Sequence, residues 1–106
     1  MFLSDSIKTI HFVGIGGISM SGLAEIMLSR GYSIQGSDMQ DSPIIRKLKS
    51  HGINIKISHN AENVHGADLV VYTSAVKDDN PEILEAKKLG IPLIDRAAFL
   101  GGIMKE

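Results

Sequence analysis

The sequence predicts an α/β fold in which five parallel strands form a doubly wound sheet with the strand order 3-2-1-4-5. Short β-rich runs alternate with segments of helical periodicity, and this alternation is typical of βαβ units with right-handed crossovers. Glycine or proline marks most of the boundaries between segments. A length of 106 residues corresponds to one domain. Together these observations predict that residues 1–106 form a single Rossmann-like domain.

The first strand is expected at residues 9–13, where a β-rich run leads directly into glycines. A helix is expected at 18–30, and Gly31 supplies its C-terminal stop. The second strand is expected at 32–36. Apolar residues recur in the helix at spacings of three and four, so we expect one buried face. That face would consist of Leu23, Ile26 and Met27.

A polar residue followed by proline predicts the start of each of the next two helices. The pairs are Ser42-Pro43 and Asn80-Pro81. The polar side chain can accept a hydrogen bond from a free amide, and proline is tolerated at the first helical position. Both helices are expected to end at the glycine ten residues further along. The earlier helix would carry the apolar residues Ile44, Ile45 and Leu48.

The remaining strands differ in their apolar patterns. Residues 53–57 alternate apolar and polar residues, which suits a strand with one exposed face. Residues 69–72 form a continuous apolar run, as expected for a strand covered on both faces. We expect a polar, turn-like segment at 58–67, a fifth strand at 91–94 and a last helix at 97–104.

Composition excludes several classes of function. The formal charge is −1, from 11 basic and 12 acidic residues, which provides no electrostatic basis for a nucleic-acid or membrane partner. The absence of cysteine excludes disulfides and thiolate metal sites. We find neither a signal-peptide pattern nor an apolar run long enough to span a membrane. We therefore expect a cytoplasmic protein without a metal site.

The strongest local signal is the glycine-rich loop at residues 13–22, between the first strand and the first helix. Gly14 can form the tight turn, and Gly16 allows a ligand to approach the backbone. The amides of the first helical turn carry partial positive charge, which suits a diphosphate. The third glycine of the dinucleotide-binding pattern would fall at position 19, where this chain has Ser19. This difference weakens the hypothesis of a nicotinamide cofactor.

Three other segments follow predicted strands, at the sheet edge where α/β proteins bind ligands. Asp38 lies 24 positions after Gly14, at a spacing suited to an acid that binds ribose hydroxyls. His59 follows the third strand, and Ser74 with Ala75 follows the fourth. Simpler interpretations stay open: a turn-forming loop with a solvated Asp38, an exposed loop histidine and a capping serine.

No catalytic residue is expected. The sequence has no G-x-x-x-x-G-K-[ST] phosphate loop, no cysteine nucleophile and no serine in a nucleophile-elbow motif. A single acid that binds ribose does not form an acid–base pair. The pattern therefore indicates a nucleotide-binding unit whose chemistry is carried out by other parts of a protein.

Five segments resemble the N-terminal domain of the Mur ligase family. They are residues 11–24, 36–38, 58–63, 73–82 and 92–100. The resemblance is strongest to the branch that joins L-alanine to UDP-N-acetylmuramate. Gly16-Gly17 favours this branch over the related ligase that recycles murein tripeptide, which usually carries a cysteine in the loop.

The resemblance implies a three-domain enzyme of peptidoglycan biosynthesis. The whole enzyme would use ATP and Mg²⁺ to phosphorylate the muramate carboxylate, and the amine of L-alanine would then attack the acyl phosphate. The central domain would bind ATP, and the C-terminal domain would help to bind the amino acid. By this resemblance the present chain is the first domain, holds the UDP part of UDP-N-acetylmuramate, carries no cofactor itself and is inactive alone.

The resemblance and the strand-end positions together give a candidate UDP site. The alternative hypothesis is an NAD(H)-binding domain of a dehydrogenase or a regulatory module, and a third is a domain whose glycine loop binds nothing. The candidate UDP-binding residues are Gly14, Gly16, Gly17, Ile18, Ser19, Met20, Ser21, Asp38, His59, Ser74 and Ala75.

Overall fold

Five parallel strands form one sheet in the computed structural model, which describes residues 3–105. The strand order is β3-β2-β1-β4-β5, which confirms the predicted order 3-2-1-4-5. The strands are β1 (Thr9–Val13), β2 (Ser33–Asp38), β3 (Asn54–Ile57), β4 (Leu69–Tyr72) and β5 (Leu93–Asp95).

Helices cover both faces of the sheet, which confirms the doubly wound prediction. The helices are α1 (Ile18–Ser29), α2 (Pro43–Ser50), a 3-10 helix (Ala61–Val64), α3 (Pro81–Leu89) and α4 (Arg96–Met104). Apolar residues of α1, α2 and α4 pack on one face, and those of α3 and the 3-10 helix pack on the other. None of the helices between residues 3 and 105 has both the length and the apolar content needed to cross a membrane.

The predicted helix starts at Pro43 and Pro81 are confirmed. The Ser42 side chain accepts a hydrogen bond from the amide of Ile45 at 3.2 Å, and Asn80 accepts one from Glu82 at 2.8 Å. These bonds satisfy amides that have no partner inside the helix.

The predicted burial of Ile26 is wrong. Its side chain is 43% exposed, whereas Leu23 and Met27 are buried as expected. Met20 and Ala24 complete the buried face. A face centred on these four residues leaves Ile26 to one side of the helix, because successive helical residues are separated by about 100°.

Two strand boundaries differ from the prediction by two residues. β2 continues two residues beyond Gly36, because Ser37 pairs with β1 and Asp38 pairs with β3. β5 begins later than residue 91, because the amide of Ile91 donates to the carbonyl of Ala86 at 2.9 Å and closes α3. The segment expected to be turn-like at 58–67 contains the 3-10 helix.

Asp68 joins the start of β4 to the start of β1. Its carboxylate accepts hydrogen bonds from the amides of Thr9 and Lys8, each at 2.9 Å. These two bonds hold the pKa of Asp68 below its usual value. The charged carboxylate therefore stabilises the native contact between the two strands.

We expect Asp68→Asn to reduce the acid sensitivity of the fold. Because the folded pKa is lowered, the stabilisation is complete above the unfolded value of about 3.9 and is lost as the pH falls through the folded pKa. The substitution should cost no more than about 1 kcal/mol near neutral pH, since solvent screens this partly exposed charge. Thermal unfolding followed by circular dichroism between about pH 6 and pH 2 measures the difference.

Asp79→Asn is the matched control, because Asp79 is exposed and its side chain has no hydrogen-bond partner among residues 3–105. Its melting temperature should follow the wild-type curve at every pH. The interpretation of Asp68 is wrong if the curve of Asp68→Asn also runs parallel to the wild type in acid.

Candidate functional site

The candidate site lies at the carboxyl edge of the sheet. β1 and β4 are neighbours, but the helices that follow them, α1 and α3, pack on opposite faces. In open α/β sheets such a switch point leaves a crevice that binds ligands. The glycine-rich loop and residues 73–76 lie on the two sides of this crevice.

Hydrogen bonds within the protein fix the glycine-rich loop. Gly14 has φ +78°, a left-handed conformation that suits glycine. Its amide and that of Ile15 donate to the carbonyl of Ser37 at 2.8 and 3.0 Å. The amide of Gly16 donates to the carboxylate of Asp38 at 2.9 Å. The loop is therefore held against the end of β2.

The start of α1 provides free backbone donors. The amide of Gly17 donates to the carbonyl of Gly14 at 3.1 Å, and the first helical bond runs from the amide of Ser21 to the carbonyl of Gly17 at 2.8 Å. Gly17 precedes the helix without a side-chain cap. The amides of residues 18–20 consequently have no acceptor in the described part of the chain.

The side chains of this first turn differ in their exposure. Ile18 is 85% exposed, and Ser19 is exposed beside it. Met20 is buried in the core, and the Ser21 hydroxyl donates to the carbonyl of Ile18 at 2.9 Å. A ligand at the helix start would thus meet the side chains of Ile18 and Ser19, but only the backbone of Met20.

Asp38 ties the end of β2 to the loop. One carboxylate oxygen accepts from the amide of Gly16, and the other accepts from the amide of Gln40 at 3.2 Å. A Cβ atom at position 16 would lie 2.8 Å from the carboxylate of Asp38 and 3.0 Å from Cδ1 of Ile45. Glycine is therefore required by the close approach of Asp38 and α2. Each carboxylate oxygen keeps a lone pair for a ligand hydroxyl.

A group of buried and half-buried polar side chains lies on the other face of the sheet, around Glu82. The Glu82 side chain is fully buried in the first turn of α3. One oxygen accepts from His11 Nε2 at 2.6 Å and from the Ser37 hydroxyl at 2.7 Å. The other accepts from Asn63 at 2.9 Å and lies 3.3 Å from His59 Nδ1. We call this group the Glu82 network; it comprises His11, Gln35, Ser37, His59, Asn63 and Glu82.

The Glu82 network holds a negative charge inside the protein. Burial by itself raises the pKa of the Glu82 carboxyl, but hydrogen bonds from His11, Asn63 and Ser37 outweigh burial and hold the pKa below its usual value. Within residues 3–105 every buried side-chain nitrogen and oxygen has a hydrogen-bond partner. A network whose buried polar atoms all have partners fixes the positions of its members.

The structure separates the predicted site residues into two groups. Asp38 faces α1 and α2, whereas the neighbouring Ser37 faces α3, because successive strand residues point to opposite faces. His59 contacts Ser37 at 3.2 Å and so lies on the α3 side, with 18% of its side chain exposed. Ser74 and Ala75 are exposed in the loop after β4.

Sequence reasoning missed two residues at this edge. Glu82 follows Asn80-Pro81 and resembles an ordinary acid in a first helical turn, so its burial was not predicted. The polar residue His11 lies in a strand that was predicted from the sequence, and Ser37 directly follows another. Because buried polar groups need hydrogen-bond partners, these two residues could have indicated a buried polar residue such as Glu82 nearby. Arg96 was also missed. It lines a cavity of about 370 Å³ together with Tyr72, Thr73, Ser74, Asp95 and Ala97.

A second cavity, of about 460 Å³, lies near the opposite edge of the sheet. Lys8, Tyr32 and Ser33 at the starts of β1 and β2 line it, together with Met27 and Ile103. It contains no part of the glycine-rich loop. We place the candidate site at the carboxyl edge because the switch point and the free amides lie there. Residues 3–105 contain no cluster of three His, Asp or Glu side chains suited to a metal ion.

Comparison with known proteins identifies similar sequences and structures. The sequence profile described as "Mur ligase family, catalytic domain" matches residues 9–106. A UDP-N-acetylmuramate–L-alanine ligase of Clostridium beijerinckii is 61% identical over 104 residues, which are 98% of this chain and 23% of that protein.

Two solved structures of ligases share the fold. UDP-N-acetylmuramate-alanine ligase MurC of Thermotoga maritima matches with a TM-score of 0.89 and 40% identity, over 93% of this chain and 23% of that one. The UDP-N-acetylmuramate:L-alanyl-gamma-D-glutamyl-meso-diaminopimelate ligase of Neisseria meningitides matches with a TM-score of 0.81 and 30% identity, over 89% of this chain and 30% of that one. The chain thus spans about a quarter of the length of the Clostridium beijerinckii and Thermotoga maritima ligases.

Proposed function

The chain belongs to the Mur ligase family, and we propose that it is the N-terminal domain that binds the UDP part of UDP-N-acetylmuramate in a ligase that adds L-alanine. The observation that carries this proposal is the start of α1. There, the amides of residues 18–20 have no acceptor among the described residues and lie beside the switch point of the sheet. The family relationship supports UDP-N-acetylmuramate as the ligand, and the free amides support a diphosphate site at the start of α1.

The helix start suits a diphosphate for electrostatic reasons. The N-terminus of a helix carries roughly half a positive charge, and its free amides point at an approaching anion. Gly16 and Gly17 add no side chains to those of Ile18 and Ser19 along this approach. The amides of Gly16 and Gly17 already donate within the protein, so we assign the diphosphate contacts to residues 18–20.

The uridine would lie across the ends of β2, β3 and β4. Asp38 offers carboxylate lone pairs for hydroxyl groups on one face of the sheet. His59 offers its ring on the other face, and Ser74 and Ala75 line the crevice at the end of β4. The two groups of site residues would thus contact the nucleotide from both sides.

We further propose that the chemistry of the ligase belongs to the other domains. The sequence lacks the phosphate-loop motif that binds ATP, and the described residues offer no metal cluster, so this chain does not fit ATP and Mg²⁺. A central domain and a C-terminal domain of the same protein would bind ATP, Mg²⁺ and the amino acid. The cytoplasm, which supplies ATP, is the proposed location.

An NMR titration tests the proposed binding. We expect UDP-N-acetylmuramate to shift the amide signals of residues 18–20, Asp38, His59 and Ser74 in the ¹⁵N-labelled chain. The titration detects binding even if the Kd is about 1 mM, which corresponds to a binding free energy of only about −4 kcal/mol. Signals of Gly31 and Gly66, in turns outside the proposed site, serve as internal controls and should stay in place.

NADH is the matched competing ligand. Asp38 at the end of β2 also suits the ribose of a nicotinamide cofactor, so the alternative hypothesis predicts shifts of the same residues. Shifts with NADH and none with UDP-N-acetylmuramate would replace the UDP proposal by the NAD(H) one. If neither ligand shifts any signal at millimolar concentration, a binding function of the isolated chain is refuted.

A further inference from the structure

His59 lies with one ring nitrogen between two hydrogen-bond acceptors. Its Nδ1 is 3.3 Å from a carboxylate oxygen of Glu82 and 3.2 Å from the hydroxyl oxygen of Ser37. The Ser37 proton is directed at the other Glu82 oxygen, 2.7 Å away. Ser37 therefore offers only lone pairs to His59. Because both neighbours of Nδ1 are acceptors, Nδ1 carries a proton.

The hydrogen bonds of Gln35 and His11 fix which atoms of the Glu82 network donate and which accept. Gln35 Nε2 donates to the carbonyl of Asn63 at 2.9 Å, so its second hydrogen points at His11 Nδ1, 3.1 Å away. His11 Nδ1 is thus an acceptor, and His11 Nε2 carries the proton donated to Glu82. Glu82 consequently acts as an acceptor toward all four of its partners.

We propose that Glu82 is a positioning residue for nucleotide binding, which fixes the proton of the neutral His59 ring on Nδ1 and leaves Nε2 as an acceptor for an N–H or O–H donor of the uridine. This inference rests on the proposed UDP function. The Nε2 atom has no partner among residues 3–105, and His59 is the network member that follows β3 at the carboxyl edge. Glu82 itself is fully buried and acts through His59.

This arrangement defines the chemistry of the uridine subsite. Asp38 and His59 Nε2 both present lone pairs, one from each face of the sheet. A nucleoside bound between them would be recognised through its donors. The donors of uridine are the uracil N3–H and the ribose hydroxyls, and each of them can donate a hydrogen bond to such a lone pair.

The wild-type ring is the first test, because it needs no variant and no ligand. Long-range ¹H–¹⁵N correlation spectra distinguish the two neutral tautomers and the charged ring. At about pH 8 we expect the Nδ1–H tautomer for His59. A proton on Nε2, or on both nitrogens, overturns the proposal. His59→Phe identifies the His59 signals by their loss.

Glu82→Gln is expected to reverse the tautomer. The oxygen of the new amide must keep accepting from His11, which Gln35 holds as a donor to position 82, so the nitrogen takes the place of the oxygen beside Asn63 and His59 Nδ1. Asn63 donates to that oxygen in the wild type, so its own amide has to turn in the variant. The new amide hydrogens then face Asn63 and His59 Nδ1. His59 Nδ1 then becomes an acceptor, and the proton moves to Nε2. A role of Glu82 in folding alone would not predict this exchange. An unchanged Nδ1–H tautomer in a folded Glu82→Gln chain contradicts the mechanism.

Affinity measurements show whether Glu82 acts through His59. Glu82→Gln and His59→Phe should each weaken the binding of UDP-N-acetylmuramate by about tenfold, and the double variant should also lose about tenfold, because one hydrogen bond is lost in every case. A hundredfold loss in the double variant refutes an action through His59. Glu85→Gln, in the same helix and paired with the exposed His65, is the matched control and should bind as the wild type does.

Modified nucleotides identify the donor. N3-methyl-UDP lacks the uracil donor, and 2′-deoxy-UDP and 3′-deoxy-UDP each lack one ribose donor. The compound that lacks the donor to His59 should bind the wild type about tenfold more weakly than UDP does, and this difference should vanish in His59→Phe. If the differences are the same in both chains, His59 does not contact a donor and the inference fails. If the wild type binds no uridine compound at all, the UDP function fails as well, so the two failures are distinguishable.

Discussion

Gly36→Ala is expected to destabilise the chain by about 2–3 kcal/mol, at the upper end of the usual cost of overpacking. Gly36 is buried in β2. An added Cβ would lie 2.6 Å from Cδ1 and 2.8 Å from Cβ of Ile15, and 2.9 Å from the carbonyl oxygen of Phe12. The last of these atoms belongs to the backbone of β1, so the clash cannot be relieved by a side-chain rotation. Relief requires that β1 and β2 separate or that the glycine-rich loop moves.

Urea unfolding at constant temperature measures this loss, with the slope showing whether the transition stays two-state. Gly22→Ala is the matched control, because Gly22 lies in α1 and a Cβ there meets no atom within 4 Å. Alanine in a helix interior should increase the unfolding free energy by about 0.5–1 kcal/mol. Opposite signs for the two substitutions are the expected result. A Gly36→Ala chain as stable as the wild type contradicts the packing described here.

The helix boundaries could be predicted from the sequence because glycine follows three of the predicted helices and a capping residue with proline opens two of them. These signals depend only on neighbours in the chain. The strand order was predicted from the fold class that the alternation of strands and helices indicates. The end of β2 could not be predicted in this way. Gly36, Ser37 and Asp38 have the composition of a turn, but pairing with β1 and β3 extends the strand through them.

The two halves of the candidate site differ in how far the sequence predicts them. The glycine-rich loop and Asp38 follow a known spacing within 24 positions, and the structure joins them by a hydrogen bond. The Glu82 network is not visible in this way, since His11 and Glu82 are 71 positions apart. An acid after Asn80-Pro81 also has a sufficient local explanation, because negative charge is favourable in a first helical turn. Only the packing of α3 against β1 and β2 shows that Glu82 is buried.

Gly17→Ala is expected to weaken the binding of UDP-N-acetylmuramate by about tenfold or more without changing the stability of the chain. A Cβ at position 17 would lie 3.6 Å from the nearest protein atom, the carbonyl oxygen of Gly14, which is an ordinary contact. Gly17 has φ −64° and ψ 148°, a conformation open to any residue. The protein itself therefore has room for the methyl group, and only a ligand approaching the amides of residues 18–20 would meet it.

Gly16→Ala separates this effect from a distorted loop. The Cβ of the alanine would lie 2.8 Å from the Asp38 carboxylate. The 2.9 Å hydrogen bond from the amide of residue 16 to Asp38 therefore has to break. We expect this variant to lose about 1–2 kcal/mol of stability and also to lose binding. Calorimetric titration and thermal unfolding of both variants give the two quantities. Weak binding by a Gly17→Ala chain of wild-type stability means that the ligand itself occupies the space beside the backbone. Wild-type affinity in Gly17→Ala, with weak binding only in Gly16→Ala, means instead that the glycines shape the loop and that the diphosphate lies elsewhere along the carboxyl edge.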